Sequence, residues 1–313
     1  MSSKFHPNTR TAWMLVALTM VMSAGVVALM HLASTPESQI LYSQFDGNDY
    51  EIFVMDENGN VEQLTDNTVN DWGAGWSPDQ SQIAYRSVDD FGYTRIHVMN
   101  ADGSNDQVVS PENLYAGTPQ SVGMPSWTPD GQTLAFEAID MSGQTNNAYD
   151  IYVVNLDNDT TERITFTAFH ALHPQFSPDG SQIAFAYETH GASCEWDCDI
   201  FVMNADGTNA QQLTTDKGMD VFPQWSPDGS QIVFHSEREG NSDIFVMNAN
   251  GSQETNLTNS PTLERVATWS PDGNSIVFRS ERDGDSDIYV MNLRSGETTQ
   301  MTDNDVDDRL PDW

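Results

Sequence analysis

Residues 225–256 of the chain read WSPDGSQIVFHSEREGNSDIFVMNANGSQETN, and residues 269–300 read WSPDGNSIVFRSERDGDSDIYVMNLRSGETTQ. The two stretches are near-copies, which indicates a chain built from one repeated structural unit. Each copy contains two runs rich in β-branched and aromatic residues, separated by loops of Asp, Gly and Ser, as is typical of short strands.

The unit begins with an aromatic residue followed by a Ser/Thr-Pro-Asp turn. Proline fixes φ in such a turn, and the glycine that follows supplies a left-handed residue. Gln80 replaces that glycine in the first copy, which predicts a strained turn. The aromatic residues are 51, 49, 49, 44 and 44 positions apart, within the range of propeller blades. They are Trp76, Trp127, Phe176, Trp225, Trp269 and Trp313.

Four strands are predicted for each unit, and Asn/Asp-Gly turns, typical of hairpins, follow most second strands. The first strands are Gln39–Gln44, Gln82–Ser87, Gln132–Glu137, Gln182–Glu188, Gln231–Glu237 and Ser275–Glu281. The second are Glu51–Asp56, Arg95–Asn100, Asp150–Asn155, Asp199–Asn204, Asp243–Asn248 and Asp287–Asn292. Third, outer strands end near Thr65, Val109, Thr165, Thr214, Thr258 and Thr302, and the fourth strands end at the aromatic residues.

The first unit lacks a preceding fourth strand, whereas residues 309–313 repeat the fourth-strand pattern with no turn after it. We therefore expect this last strand to complete the first sheet, so that the ring closes without raw sheet edges. The prediction is an all-β, six-bladed β-propeller over residues 39–313. The aromatic series is then expected to pack between adjacent blades, and the methionines at a repeated second-strand position to fill the core.

The repeats P-x-W-S-P-D-G, I-x-F-x-S-x-R and D-I-Y-V-M-N resemble the Pro-Asp repeats of the TolB-like propeller family. This resemblance implies a propeller and suggests a role in the Tol–Pal cell envelope system. Similar blades occur in tricorn-type and prolyl oligopeptidase-type peptidases. No G-x-S-x-G nucleophile elbow appears in this chain, so the resemblance gives no support for peptidase activity.

Residues 12–30 are uncharged over roughly the span of a bilayer, and Lys4 and Arg10 precede them. Residues 1–33 are therefore predicted to be a membrane anchor or a signal segment, followed by a short linker at 34–38. Either interpretation places the propeller outside the cytosol, in a periplasm or at a cell surface. There, Cys194 and Cys198 are expected to form a local disulfide.

The formal net charge is −35, from 47 acids and 12 bases. Such a surface repels nucleic acid, so we expect no nucleic-acid partner. It suits cationic partners or divalent ions, or it serves solubility alone.

Loops of variable length alternate with short turns along the chain, and insertions gathered on one face usually mark the binding side of a repeat protein. The variable loops include 111–124, 139–148 and 189–197. We expect partners to meet this face around the mouth of the central channel. The candidate contact residues are Tyr115, His170, His173, Asp220, Arg265 and Asp307.

The sequence is compatible with two kinds of metal site. Alternating carboxylates at Asp283, Asp285 and Asp287, with a thinner version at Asp46 and Asp49, suit calcium but do not fit the EF-hand spacing. Solvated turns, in which an aspartate caps the backbone of the next strand, are the simpler explanation. Histidines at 170 and 173, with His190 or His235, could bind zinc or manganese, although the drift of position 235 to arginine in the last repeat favours a surface site. No metal or other cofactor is predicted, and calcium is the alternative left open.

The sequence therefore predicts a non-catalytic scaffold that is tethered to a membrane and binds a protein or a cell-envelope polymer. The alternative is a carbohydrate-active lyase or hydrolase with its site at the channel mouth. Such an enzyme needs carboxylates or a metal cage converging on one substrate atom, whereas a binder needs a broad, variable rim.

Overall fold

The computed structural model describes residues 38–115, 124–140, 148–166, 168–189 and 198–313. The predicted anchor or signal segment 1–33 and Cys194 lie outside these residues. No helix within the described ranges is long and apolar enough to cross a membrane.

The described chain contains twenty-five β-strands. They are β1 (Ile40–Phe45), β2 (Tyr50–Met55), β3 (Val61–Gln63), β4 (Asp71–Trp76), β5 (Gln82–Val88), β6 (Thr94–Asn100), β7 (Gln107–Val108), β8 (Leu114–Tyr115), β9 (Ser126–Trp127), β10 (Thr133–Asp140), β11 (Asp150–Asn155), β12 (Thr160–Arg163), β13 (Ala171–Phe176), β14 (Gln182–Glu188), β15 (Cys198–Asn204), β16 (Gln211–Gln212), β17 (Asp220–Trp225), β18 (Gln231–Ser236), β19 (Asp243–Asn248), β20 (Thr255–Asn256), β21 (Glu264–Trp269), β22 (Ser275–Ser280), β23 (Asp287–Asn292), β24 (Thr298–Gln300) and β25 (Asp308–Asp312).

These strands form six antiparallel sheets, which confirms the predicted six-bladed propeller. Blade 1 has the order β25-β1-β2-β3, and blade 2 has the order β4-β5-β6-β7. Blades 4, 5 and 6 repeat that order with β13–β16, β17–β20 and β21–β24. The inner strands contact one another in a closed cycle, from β4 through β9, β13, β17, β21 and β25 back to β4.

The C-terminal strand closes the ring as predicted. Leu41 of β1 pairs with Asp312 of β25, and Gln44 pairs with Asp308. The indole nitrogen of Trp313 donates a hydrogen bond to the Ser38 hydroxyl. Blade 1 is thus assembled from two ends of the propeller, and its inner edge is not left unpaired.

Blade 3 departs from the prediction because its inner position is divided. Two short strands pair with β10, β8 at Ile139 and Asp140 and β9 at Leu134 and Ala135. Part of the expected loop 111–124 is therefore strand β8.

The core lies between blades, where the apolar residues of one sheet pack on those of the next. The aromatic residues that end the inner strands are 7–8% exposed in blades 2–6. Trp127, Trp225 and Trp269 donate their indole N–H to a backbone carbonyl of the preceding inner strand, at 3.1, 3.2 and 3.1 Å. They link neighbouring blades as well as filling space. The repeated methionines of the second strands are also buried.

Each blade except blade 2 carries the same polar clasp near its outer edge. A threonine after the outer strand accepts a hydrogen bond from the backbone N–H of an isoleucine in the second strand, for example Ile151 to Thr165 at 2.8 Å. Its hydroxyl also donates to the acid that precedes that isoleucine, for example to Asp150 at 2.9 Å. The repeated Asp-Ile pairs of the sequence are therefore structural. The other clasp pairs are Glu51–Thr65, Asp199–Thr214, Asp243–Thr258 and Asp287–Thr302.

The alternating strand direction gives the propeller two different faces. The short-turn face carries the Ser/Thr-Pro-Asp turns and the Asn/Asp-Gly hairpins. Gln80 occupies the left-handed region in the first turn, with φ 55°, where Gly131, Gly180, Gly229 and Gly273 have φ of 69–70°. A side chain there costs conformational energy, so the prediction of strain in this turn is confirmed. The long-loop face carries the loops between first and second strands and those leading into the next blade.

Candidate functional site

The channel wall is shaped by a bulge in the inner strands. The pairing register of β4, β13, β17, β21 and β25 shifts at its middle, as in a β-bulge. The bulged residue has positive φ at Gly73, His173, Phe222, Val266 and Leu310.

Side chains of the preceding blade hold several of these bulges. The N–H of Gly73 donates to Ser43 Oγ at 3.2 Å, and the N–H of His173 donates to Glu137 Oε2 at 3.3 Å. Val266 N–H lies 3.5 Å from His235 Nδ1. Three residues at one register position of the first strands thus fix the backbone of the next blade.

Aromatic stacking separates the two histidines of the channel wall. The His173 ring lies 3.7 Å from the Phe222 ring at an interplanar angle of 18°, and Phe222 lies 5.3 Å from His235 at 25°. The phenyl ring stands between the imidazoles, so they do not converge on one point.

His235 is buried, so the prediction of a surface site is wrong. The residue type at this position of the repeat varies because its contact with the next blade differs from blade to blade. Burial and the charge of Arg265 hold the pKa of His235 well below its ordinary value, which keeps the ring neutral at pH 7.

The remaining predicted contact residues lie at the ends of inner strands or in the loops before them. Asp220 is fully buried and pairs with Arg238 at 2.6 Å. Arg265 is partly exposed and pairs with Glu237 at 3.0 Å, while Asp307 pairs with Arg309. His170 is partly buried and accepts a hydrogen bond from the Tyr149 N–H at 3.0 Å. The backbone of Tyr115 pairs with Ile139.

The structure places these residues on several blades. Asp220 is a structural acid, because its carboxylate is shielded from solvent and bound by an arginine. Cys198 is buried at the start of β15, and its predicted disulfide partner Cys194 lies outside the described residues.

The arginines of the Ser-Glu-Arg stretches at 236–238 and 280–282 each bind the buried acid that begins an inner strand. Arg238 pairs with Asp220, and Arg282 pairs with Glu264, in each case within its own blade. The buried pair between blades is Arg86 with Glu137, at 2.7 Å. Sequence reasoning missed it because the two residues are far apart in the chain and no other repeat has this pair.

Four aromatic side chains are exposed on the long-loop face, and sequence reasoning did not single them out. Phe91 is 84% exposed and Phe166 is 76% exposed, with Tyr93 and Phe169 exposed to smaller extents. They lie in the loop between β5 and β6 and in the segment between β12 and β13. The D-D-F-G-Y stretch at 89–93 indicates exposed rings even without a structure, because large aromatic residues are unusual in a polar loop.

A cleft of about 690 Å³ opens beside Phe169 on the same face. Its wall combines two aromatic rings with acidic, amide and hydroxyl groups and one lysine. It is lined by Phe169, Tyr187, Thr189, Asp199, Gln212, Thr215, Asp216 and Lys217.

Two acidic loops lie on this face, and each brings three carboxylates close enough together to bind one cation. They contain Asp46, Asp49 and Glu51 in blade 1, and Asp283, Asp285 and Asp287 in blade 6. In each group the ligand oxygens lie within 4.8 Å of one another. Burial is the main cause that raises the pKa of Glu51 to about 7 and that of Asp287 to about 7, and neighbouring carboxylates add to both shifts.

Sequence comparison places the repeats in a known family. A family model described as the TolB beta propeller domain matches residues 124–259 and 236–313, together more than half of the chain. The chain belongs to the TolB beta-propeller family. The predicted resemblance to TolB-like propellers is therefore confirmed. No curated protein matches the chain in sequence.

Solved structures share the TolB-type fold at low identity. TolB from Acinetobacter baumannii superposes with a TM-score of 0.74 at 20% identity, over 88% of this chain and 66% of that one. A TolB-like protein from Agrobacterium tumefaciens gives 0.67 at 20% identity, covering 85% and 88%. An oligogalacturonate lyase in complex with manganese gives 0.61 at 20% identity, covering 86% and 74%. At this identity the likeness establishes the propeller fold alone.

Proposed function

We propose that the protein is a non-catalytic scaffold outside the cytosol, which binds a protein or a cell-envelope polymer on its long-loop face. The observation that carries this proposal is the set of exposed aromatic side chains on that face: Phe91, Tyr93, Phe166 and Phe169. Aromatic residues are enriched at the energetic centres of protein interfaces. The other large exposed hydrophobic side chains of the described residues, Val61 and Val108, are aliphatic and lie on outer strands.

Two of these rings are backed by arginine. The Arg95 guanidinium carbon lies 5.6 Å from the centre of the Tyr93 ring, and that of Arg163 lies 4.8 Å from the Phe166 ring. A cation over one face of a ring restricts its motion and leaves the other face open. Rings ordered in advance lose little conformational entropy when a partner binds.

The net charge of the chain and its uncharged N-terminal segment support such a role. A formal charge of −35 favours encounter with cationic surfaces and disfavours nucleic acid. The uncharged segment 12–30 supports attachment at, or export across, a membrane. The cleft beside Phe169 offers hydroxyl, amide and carboxylate groups next to the aromatic surface, a mixture suited to a polar polymer or a peptide.

An enzyme at the channel mouth has less support. Phe222 separates the imidazoles of His173 and His235, and His170 is engaged by a backbone N–H. Neither group of potential metal ligands in the described ranges contains a histidine. The fold shared with the lyase does not supply its chemistry.

The test uses the double variant Phe91→Ala/Phe166→Ala of the full chain. The matched control is Val61→Ala/Val108→Ala, which removes exposed hydrophobic area from outside the face. Each protein is immobilised and exposed to solubilised envelope proteins and, separately, to envelope polysaccharide. We expect a partner retained by the wild type and the control to bind the aromatic variant at least ~10-fold more weakly, because exposed aromatic anchors contribute about 1–2 kcal/mol each.

Equal affinity of both double variants for the same partner would contradict the assignment of the face. Incubation with oligogalacturonides and manganese, followed by ultraviolet absorbance of unsaturated products, tests the enzyme alternative. Multiple turnovers in that assay would replace the scaffold proposal with the lyase.

A further inference from the structure

The loop that joins β1 to β2 in blade 1 holds a compact acidic cluster. Asp46 orders the loop, because its Oδ1 accepts hydrogen bonds from the N–H groups of Asn48 at 2.8 Å and Asp49 at 3.2 Å. Asp46, Asp49 and Glu51 then bring one oxygen each within 4.8 Å of the others. Acidic clusters of this kind are common on surfaces, so the state of each carboxylate decides what the cluster does.

Asp49 is the unusual member. The residue is 5% exposed, and neither carboxylate oxygen has a hydrogen-bond partner among the described residues. Both oxygens are therefore withdrawn from water without compensation from the protein. A buried carboxylate that has neither water nor a hydrogen-bond donor is unfavourable in a protein unless a cation binds it.

A further buried carboxylate adjoins the cluster from blade 2. Asn67 donates its backbone N–H to Glu51 Oε1 at 2.8 Å and its side-chain amide to Asp71 Oδ2 at 2.7 Å. Glu51 and Asp71 are both fully buried, and Asp71 Oδ1 also lacks a hydrogen-bond partner among the described residues. The region thus contains two buried carboxylates with unused oxygens.

Ion pairs do not neutralise this charge within the described ranges. None of the ion pairs there includes Asp46, Asp49, Glu51 or Asp71. By contrast, buried acids in other blades form ion pairs with arginine, as Asp150 does with Arg163 and Asp220 with Arg238.

The polar clasp reveals how blade 1 differs. In blades 3–6 the residue two positions before the clasp threonine donates to the strand-start aspartate, for example Gln212 to Asp199 at 2.9 Å. In blade 1 the corresponding Gln63 donates instead to the backbone carbonyl of Thr65, at 2.8 Å. Glu51 therefore lacks the amide or guanidinium donor of its counterparts. The other three donor pairs are Arg163–Asp150, Asn256–Asp243 and Gln300–Asp287.

The similar trio in blade 6 is better satisfied. Asp283 accepts a hydrogen bond from the Tyr289 hydroxyl at 3.1 Å and one from the Gln300 amide. Asp287 accepts from Thr302 at 2.9 Å. Asp285 keeps one unused buried oxygen but is only partly buried as a residue. The stronger case for a ligand is therefore in blade 1.

We propose that Asp46, Asp49 and Glu51 bind one calcium ion at the long-loop face of blade 1. The donors are all oxygens, which hard divalent cations prefer, and three carboxylates match the charge that calcium sites use. Water and loop carbonyls complete such coordination shells. Bound calcium supplies the positive charge that the two unused oxygens of Asp49 lack and ties the loop to β2. The inference is independent of the scaffold function proposed above.

The experiment uses the full chain, freed of metal with a chelator and dialysed into 0.1 M NaCl, which screens non-specific attraction to an acidic protein to about 10 Å. We expect 1–5 mM calcium to raise the melting temperature by about 5 °C or more, and titration calorimetry to show one site. Magnesium at the same concentration should act more weakly, because it dehydrates reluctantly and demands octahedral geometry.

The Asp49→Asn variant gives the decisive test of the calcium site. It removes the buried charge, so the metal-free variant should melt at or above the wild-type temperature, while its affinity for calcium should fall at least ~10-fold. Asp46→Asn provides a second variant should the first fail to fold. The matched control is Asp285→Asn in blade 6, which should keep the full response.

Three results would overturn the proposal. They are a wild-type melting temperature indifferent to calcium, an unchanged calcium response in both Asp49→Asn and Asp46→Asn, and a response lost only in Asp285→Asn. Calcium and magnesium shifts of equal size in wild type and every variant would indicate screening of the acidic surface alone.

Discussion

The short-turn face and the long-loop face are made by the same strands, yet they differ in how much they vary between blades. On the short-turn face, all five Ser/Thr-Pro-Asp turns have a hydroxyl that donates to the turn aspartate two residues later, as from Ser226 to Asp228 at 2.7 Å. On the long-loop face, blade 1 has a buried acid without hydrogen-bond partners among the described residues, blade 2 has exposed aromatic rings and blade 5 has a network of ion pairs. The invariant face builds the ring, and the variable face is free to acquire contacts.

The largest expected effect lies at the end of the inner strands, next to the short-turn face. Trp225→Ala should lower the free energy of unfolding by about 3–5 kcal/mol, because it leaves a cavity between blades and removes the indole hydrogen bond to Gln175. Phe91→Ala, on the long-loop face, should change it by less than about 0.5 kcal/mol. Urea denaturation measures both. Comparable losses in the two variants would erase the proposed contrast.

An effect of intermediate size is expected at the junction of blades 1 and 2, where the stability of the fold should depend on pH. Burial raises the pKa of Asp312 to about 6, although the Trp76 N–H donates to its carboxylate at 3.0 Å. Since the folded state binds this proton more tightly than the unfolded state, the contribution to stability is full below about pH 4 and is lost as the pH rises to about 6.

As the pH rises from 4 to 7, the free energy of unfolding of Asp312→Asn should therefore increase by about 1–3 kcal/mol relative to that of the wild type. Urea denaturation across that pH range measures the difference. Asp228→Asn is the control. Hydrogen bonds from Ser226 and Ser230 lower the pKa of Asp228 to about 2. The plot of unfolding free energy against pH for Asp228→Asn should therefore differ in slope from that of the wild type only below about pH 4. Parallel pH profiles for wild type and Asp312→Asn would show that this carboxyl does not titrate in the expected range.

The smallest effect is expected in the one irregular turn of the short-turn face. Gln80→Gly should stabilise the protein by ~1 kcal/mol, because glycine adopts φ near 55° without the steric cost of a side chain. The reverse change, Gly229→Gln, should destabilise by a similar amount. Thermal melts of both variants measure the pair, and a loss of stability in Gln80→Gly would mean that the glutamine side chain makes a compensating contact.

Features that depend on local chemistry could be predicted from the sequence. The turns follow from proline and glycine at fixed offsets, and the six sheets follow from counting repeats. The closing strand was found because Trp313 repeats a pattern whose first copy is missing. The acidic loops of blades 1 and 6 were also recognised, since alternating carboxylates are visible without any structure.

Features that depend on contacts between blades were not predictable in the same way. His173 was expected to face the channel mouth, but its left-handed backbone and its stacking on Phe222 are set by the neighbouring blade. Arg86 and Glu137 meet only because consecutive blades lie side by side. The difference between Asp49 and its counterparts likewise requires knowing which donors reach which carboxylate.

One regularity was present in the sequence and went unused. The strand-start aspartate and the clasp threonine are separated by a constant 15 residues in blades 3–6. A fixed spacing between an acid and a hydroxyl residue across two strands indicates a hydrogen bond between them. This spacing alone indicates a structural role for Asp287, independent of any metal.

The pairing of β25 with β1 has a consequence for biosynthesis. β1 leaves the ribosome hundreds of residues before its inner partner exists, which at a translation rate of about 5–20 residues per second leaves its backbone donors and acceptors unmatched for roughly ten seconds to a minute. During that interval the nascent chain displays an apolar strand edge of the kind on which neighbouring polypeptides assemble. Covering that edge, or keeping the chain unfolded, until β25 has been made would prevent such assembly.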